Sequence, residues 1–164
     1  MLRTIHTMEE LEISGWMEVY REGHEENGAY FYPDEPPERA LHLAEEDSRR
    51  FLEGFFQIPG AQYWIWEEEG RYVSCLRLKP DRDGLLLEAL ETRPDCRRRG
   101  FGKQLILSVL SHLPRGTKIY SEISKENLPS LAIHRVCGFS QVLDYGLQED
   151  GSKADHCVTM GVTI

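Results

Sequence analysis

The segment Arg97-Arg98-Arg99-Gly100-Phe101-Gly102-Lys103 gathers the residue types that handle anions. It lies between an apolar, strand-like run (85–92) and a helical pattern that begins at Phe101. A glycine-containing turn at a helix N-terminus presents unpaired backbone N–H groups at the positive end of the helix dipole, and its glycines let an anion approach closely. Two nucleotide-binding readings fail on spacing. Lys103 is followed by Gln104 rather than the Ser or Thr of a Walker loop, and no third glycine follows Gly100 and Gly102 as a dinucleotide fingerprint needs. From Arg93 to Lys103 the chain carries five basic residues against Asp95, net +4, within a protein of net charge −9, so an anionic partner is expected there. By composition alone the segment also reads as a basic helix start with a packing glycine. A second signal is a carboxylate. Glu88 interrupts the longest apolar stretch (84–90), and burying a charge is costly unless the group is used or paired.

Metal chemistry finds no support. Cys75, Cys96, Cys137 and Cys157 contain no Cys-x-x-Cys pair, and the six histidines are scattered, so reduced thiols and no metal are expected. The 164 residues suffice for one domain with a core of its own, taken as 1–164. A pI near 5.2 argues against generic nucleic-acid binding, which needs a basic footprint. No apolar run approaches the roughly 20 residues a bilayer requires, and the first ten residues lack the apolar core of a secretory signal, so a cytoplasmic protein is expected. Charge is uneven. Residues 1–70 hold 17 acidic and 5 basic residues, while the other 94 hold 11 and 14. That acidic face suits a cationic amine, although charge runs are usually solvated surface.

Periodicity supplies the elements that must position these groups. Residues 1–7 suit a short edge strand and 8–22 a helix ended by Gly23, with Leu11, Ile13, Trp16, Val19 and Tyr20 on its apolar face. The stretch 23–37 reads as a turn-rich loop, odd for its adjacent aromatics Tyr30, Phe31 and Tyr32. A helix is predicted over 38–56, then strands 62–66 and 72–78 joined through Glu69-Gly70, and a third strand 85–92 after a turn at 79–84. Phe101, Leu105, Ile106, Val109, Leu110 and Leu113 form one helical stripe that Pro114 stops. Strand 117–123, helix 127–136 and two last strands around a polar turn at 149–152 complete the reading.

Two blocks together resemble the GCN5-related N-acetyltransferases. Residues 90–102, Leu-Glu-Thr-Arg-Pro-Asp-Cys-Arg-Arg-Arg-Gly-Phe-Gly, are similar to that family's acetyl-CoA motif, with Arg97, Gly100 and Gly102 in register. Residues 122–139 are similar to its second block: a strand glutamate, Asn127-x-x-Ser130, a ring at His134, then Gly138-Phe139. The resemblance is close over 62–145 and elsewhere rests on the order of elements. It implies an α+β (mixed α/β) fold, with a central mixed, mostly antiparallel sheet flanked by helices and split open between strands 85–92 and 117–123. Acetyl-CoA would lie in the split, its pantetheine amides paired with the backbone around Leu90, Glu91 and Thr92. The N–H groups of Arg98, Arg99, Gly100, Phe101, Gly102 and Lys103 would hold the pyrophosphate, with Asn127 and Ser130 along the pantetheine wall. The family's Val is here Thr92, and its general-acid Tyr is here His134.

The implied reaction is direct acetyl transfer to a primary amine of a small molecule or peptide, by a monomer or homodimer. An alkylamine with pKa near 10.4 is neutral about once in 2,500 molecules at pH 7, a penalty of roughly 4.6 kcal/mol that a base must relieve. Glu88 and Glu122, on the two strands bordering the split, are the candidates, and a salt bridge to an arginine is the bland alternative for each. His134 is the candidate proton donor to the departing thiolate. A non-catalytic acyl-CoA-binding module, in which the Tyr-to-His change marks lost chemistry, and a plain nucleotide-binding scaffold remain open.

Overall fold

Side-chain alternation along 62–66 and 72–78 predicts a sheet with two apolar faces, and the computed structural model, which describes residues 1–148 and 150–164, covers both. The elements run β1 (Leu2–Ile5), a 3-10 turn (Met8–Glu10), α1 (Ile13–Val19), α2 (Arg21–Phe31), α3 (Pro37–Phe55), β2 (Gln62–Glu68), β3 (Arg71–Asp81) and β4 (Gly84–Thr92). They continue with α4 (Phe101–His112), β5 (Lys118–Ser124), α5 (Leu128–Val136), β6 (Ser140–Leu143), β7 (Gly146–Leu147), β8 (Lys153–Ala154) and β9 (Cys157–Thr163). Seven strands form one sheet in the order β1-β2-β3-β4-β5-β9-β6, and β7 with β8 make a separate ribbon. Tyr63, Ile65 and Cys75 join a cluster with Trp16, Leu52 and Phe55, while Trp64, Leu76 and Leu78 pack with Leu105, Ile106 and Val109. The mixed, mostly antiparallel sheet expected from the resemblance is therefore present, with β4–β5 as its parallel pair.

That pair barely holds together. β4 and β5 share the register pairs Leu85↔Ile119 and Leu86↔Tyr120, and the Ser121 hydroxyl donates to the Leu87 carbonyl at 3.0 Å. Beyond that point the strands diverge, which is the predicted split. A bulge widens it. Cys75 faces Glu91 and Arg77 faces Glu88, so Ala89 and Leu90 have no register partner on β3, and Ala89 takes φ 52°. The apex depends on Gly84, because a Cβ there would collide with the Lys118 carbonyl. Gly84→Ala is therefore expected to cost about 1–3 kcal/mol, seen as a lower urea midpoint at unchanged slope.

The N-terminal third departs from its predicted pattern. Instead of one helix over 8–22, the chain makes a 3-10 turn, then α1, and restarts after Tyr20. Gly23 does not stop α2, and Tyr30 and Phe31 are helical rather than in a loop. Packing overrides local propensity here: Gly28 lies against the Ala40 backbone, so α2 docks closely on α3. The last segment forms four short strands rather than two, and of the turn expected at 149–152, Glu149 lies outside the described residues.

Candidate active site

The divergence of β4 from β5, roofed by the start of α5, leaves a cavity of about 400 Å³. Glu88 and Leu90 from β4, Glu122 from β5, and Asn127, Ser130 and His134 around α5 all line it. Residues as far apart in the sequence as Arg77 and His134 thus meet in one cleft.

Each carboxylate is paired. Glu88 Oε2 accepts from Arg77 Nε at 3.0 Å, and the Arg77 guanidinium lies 4.4 Å from the Phe51 ring centroid. Glu122 Oε1 accepts from the Arg82 guanidinium at 2.7 Å and from the Leu147 N–H at 2.8 Å, tying β5 to the β3–β4 turn and to β7. Arg82 sits at φ 52°, makes a further ion pair with Asp81 and lies over the Tyr120 ring. Asn127 caps α5, its Oδ1 accepting from the Ser130 N–H at 3.1 Å.

His134 is buried against Phe139, ring centroids 5.0 Å apart. Its Nδ1 lies 2.8 Å from the Ser130 carbonyl, so the carbonyl assigns the proton to Nδ1 and leaves Nε2 as an acceptor, buried without a partner. Burial holds the imidazole below its ordinary 6.5, outweighing the carbonyl bond that favours the charged form. Burial lowers His24 in the same way. The unfolded chain binds protons on these histidines near pH 6.5 and the folded chain only at lower pH, so stability falls as pH drops below about 6.5. Urea midpoints compared at pH 7.5 and 5.5 should show that loss, and His24→Gln should reduce it.

The turn before α4 is shaped for close approach. Arg98 and Gly100 take φ 61° and 86°, and the N–H groups of 98–103 meet no acceptor among the described residues. Gly102 packs between strand and helix: a Cβ would stand 3.1 Å from Ile133 Cδ1 and 3.3 Å from Thr92 Oγ1. The positive charge is less isolated than its sequence suggests. Arg97 Nε donates to the Thr92 carbonyl at 3.1 Å, and its guanidinium pairs with Glu22 at 2.7 Å and Glu91 at 3.2 Å. Arg93 pairs with Glu18 and Asp95. Among the described residues Arg98, Arg99 and Lys103 make no ion pair, and Arg99 lies over the Phe101 ring. Glu91 also accepts from the Thr92 N–H at 2.9 Å, so both backbone groups of Thr92 are engaged by this chain's own side chains, unlike those expected to be open to pantetheine.

Two contributors escaped the sequence reading. Tyr20 donates its hydroxyl to the Ala89 carbonyl at 2.6 Å, clamping the bulge, and Arg77 holds Glu88. In the sequence Tyr20 falls on an apolar helix face, and nothing there pairs it with a residue 69 positions away. Arg77 and Ala89 also border a second cavity of about 330 Å³, between α1, α2, α3 and the sheet. Among the described residues no group of three His, Cys, Asp or Glu is placed to hold a metal, and no helix is long and apolar enough to cross a membrane.

Comparison with known proteins places this geometry. The model of the acetyltransferase (GNAT) family matches residues 16–139. The peptidyl-lysine N-acetyltransferase YiaC of Escherichia coli (strain K12) is 28% identical over 93 residues, which are 57% of this chain and 59% of that protein, so the match spans less than two thirds of the relative's length. Among solved structures, the PaiA N-acetyltransferase of Thermoplasma acidophilum in complex with coenzyme A aligns with TM-score 0.63 and 14% identity over 100% of this chain and 99% of that one. A ribosomal-protein-alanine N-acetyltransferase of Brucella melitensis aligns with TM-score 0.64 and 18% identity over 99% of each. At these identities the solved structures establish the fold.

Proposed function

The chain belongs to the acetyltransferase (GNAT) family, and on that premise we propose that it transfers the acetyl group of acetyl-CoA directly to a primary amine of a small molecule or peptide. One observation carries the reading: the sheet opens beside an anion-ready turn, and the opening is lined by Glu88, Glu122 and His134. In this reading the N–H groups of 98–103, with Arg98, Arg99 and Lys103, hold the pyrophosphate, and Gly102 lets α4 pack closely on Thr92 and Ile133. The unpaired backbone of Leu90 meets the pantetheine, and Arg97 pins the turn to the end of β4. Asn127 and Ser130 form the facing wall.

Acetyl-CoA supplies an acetyl group on a thioester, a bond an uncharged amine can displace. Glu88 takes a proton from the arriving ammonium, and the Arg77 Nε contact at 3.0 Å fixes that carboxylate in place. As the C–N bond forms and the C–S bond breaks, the nitrogen's second proton must reach the sulfur. The resting tautomer of His134 leaves Nε2, buried in the resting protein, as the acceptor; in this step the bound substrates must reach it, and His134 then takes up that proton before delivering it, rather than starting as imidazolium. This role requires the neutral ring, so the rate should rise with pH through the His134 ionisation. A resting acid would give the opposite limb. His134→Gln is expected to lower kcat roughly tenfold or more and remove that limb.

The ion pairs on both carboxylates favour a second reading, the non-catalytic acyl-CoA-binding module. Thiol release from acetyl-CoA, followed with a panel of primary amines and lysine peptides, separates the two. Amine-dependent release with amide product supports the transferase. Tight acetyl-CoA binding without release for any amine supports the module, and absence of binding overturns both.

A further inference from the structure

The second cavity borders the cleft at Arg77 and Ala89, beside Glu88, so an amine held in it would present its nitrogen at the proposed base. Six rings line it: Trp16, Tyr20, His24, Phe31, Phe51 and Tyr63. Trp16, Tyr20 and His24 stack in a tilted series, with centroid separations of 4.7 Å and 5.3 Å from Trp16 to the other two, and Tyr63 meets Trp16 edge-on at 6.3 Å. Phe31 and Phe51 are 64% and 48% exposed, so the cavity is lined partly by large apolar rings left in water. Covering such surface is favourable at about 25 cal/mol per Å².

Charge on the lining is already cancelled. Asp47 pairs with Arg50 at 2.5 Å and accepts from the Tyr32 hydroxyl, and Arg77 pairs with Glu88. The unpartnered Trp16 Nε1, His24 Nδ1 and Tyr63 hydroxyl are closed off from solvent, so the cavity offers ring surface rather than these atoms. A volume near 330 Å³ lies at the small end of ligand sites.

Resting on the amine-acceptor reading above, we infer that this cavity receives the uncharged aromatic ring of a small arylalkylamine, whose amine reaches Glu88 past Ala89. A ring satisfies stacking and edge contacts that a linear chain leaves unmade. A body group with its own charge would find no unpaired partner.

The test compares kcat/KM for phenethylamine, propylamine and a lysine peptide with acetyl-CoA saturating. Phenethylamine should exceed both others by about tenfold or more. Phe31→Ala removes a mostly exposed ring and so leaves the core intact, and it should cut the preference for phenethylamine over propylamine by about threefold or more. Turnover with propylamine or the lysine peptide at least equal to phenethylamine would overturn the inference and leave the transferase standing. Turnover with no amine would overturn the transferase. Calorimetric titration of the full chain with phenethylamine, using Phe31→Ala as control, reads the cavity without chemistry, and no heat of binding, or equal affinity in both proteins, would overturn the inference on its own.

Discussion

Gly102→Asp is expected to abolish acetyl-CoA binding, raising Kd at least about 100-fold by calorimetry, while the fold persists. The new Cβ meets Ile133 Cδ1 and Thr92 Oγ1 at 3.1 and 3.3 Å, and the carboxylate adds a negative charge to the first turn of α4, beside the N–H groups proposed for the pyrophosphate. There it competes with the pyrophosphate by volume and by charge, since a helix N-terminus stabilises one anion and two repel. The same dipole favours an acidic residue in the first helical turn, which offsets part of the cost of packing a carboxylate against Ile133 and Leu90, and a melting curve recorded beside the titration separates lost binding from unfolding. Gly102→Ala asks the neighbours to give only a few tenths of an ångström and should weaken binding far less. Wild-type affinity in the Asp variant would remove the turn from the site. Arg97→Glu is a less clean probe, because Arg97 also holds the Thr92 carbonyl, Glu22 and Glu91.

Glu88→Gln should lower kcat at pH 7 by about 10²- to 10⁴-fold, the range for loss of a positioned base. Gln can still accept from Arg77 Nε, so the geometry is kept and basicity alone is removed. Glu122→Gln provides the contrast. Gln keeps an oxygen for Arg82 and the Leu147 N–H and loses only the charge of the Arg82 pair, so this variant should change the rate little and lower stability modestly. Full turnover and an unchanged pH profile in Glu88→Gln would place the base elsewhere. A large rate loss in Glu122→Gln at unchanged stability would exchange the two roles.

The electrostatics around these sites follow from pairings that span the chain. Residues 1–70 are acidic and the 93–103 segment basic, which reads as two unrelated surfaces until Glu18 meets Arg93 and Glu22 meets Arg97. Part of the acidic face is thus the counter-charge of the turn. Glu88 and Glu122 divide in a similar way: Glu88 interrupts an apolar strand and Glu122 lies in an alternating one, yet Arg77 and Arg82 decide what each carboxylate can do. One pairing lies at the edge of the ring-lined cavity and the other at a structural junction.

What the sequence determined by itself was local and periodic. The strand-like runs 62–66 and 72–78 joined through Glu69-Gly70, the stripe from Phe101 to Leu113, and the glycines of the 97–103 turn each depend on residues within a few positions of one another, so pattern alone revealed them. The two family-like blocks placed the cleft between the right strands for the same reason. Tertiary structure decided whatever depends on partners far along the chain. It broke the predicted helix 8–22 at Tyr20, whose hydroxyl is drawn to Ala89, and it extended α2 through Tyr30 and Phe31, because Gly28 lets it lie on Ala40. It also set the His134 tautomer and lowered its proton affinity, since burial against Phe139 is a property of the assembled core and not of the residues beside it in the chain.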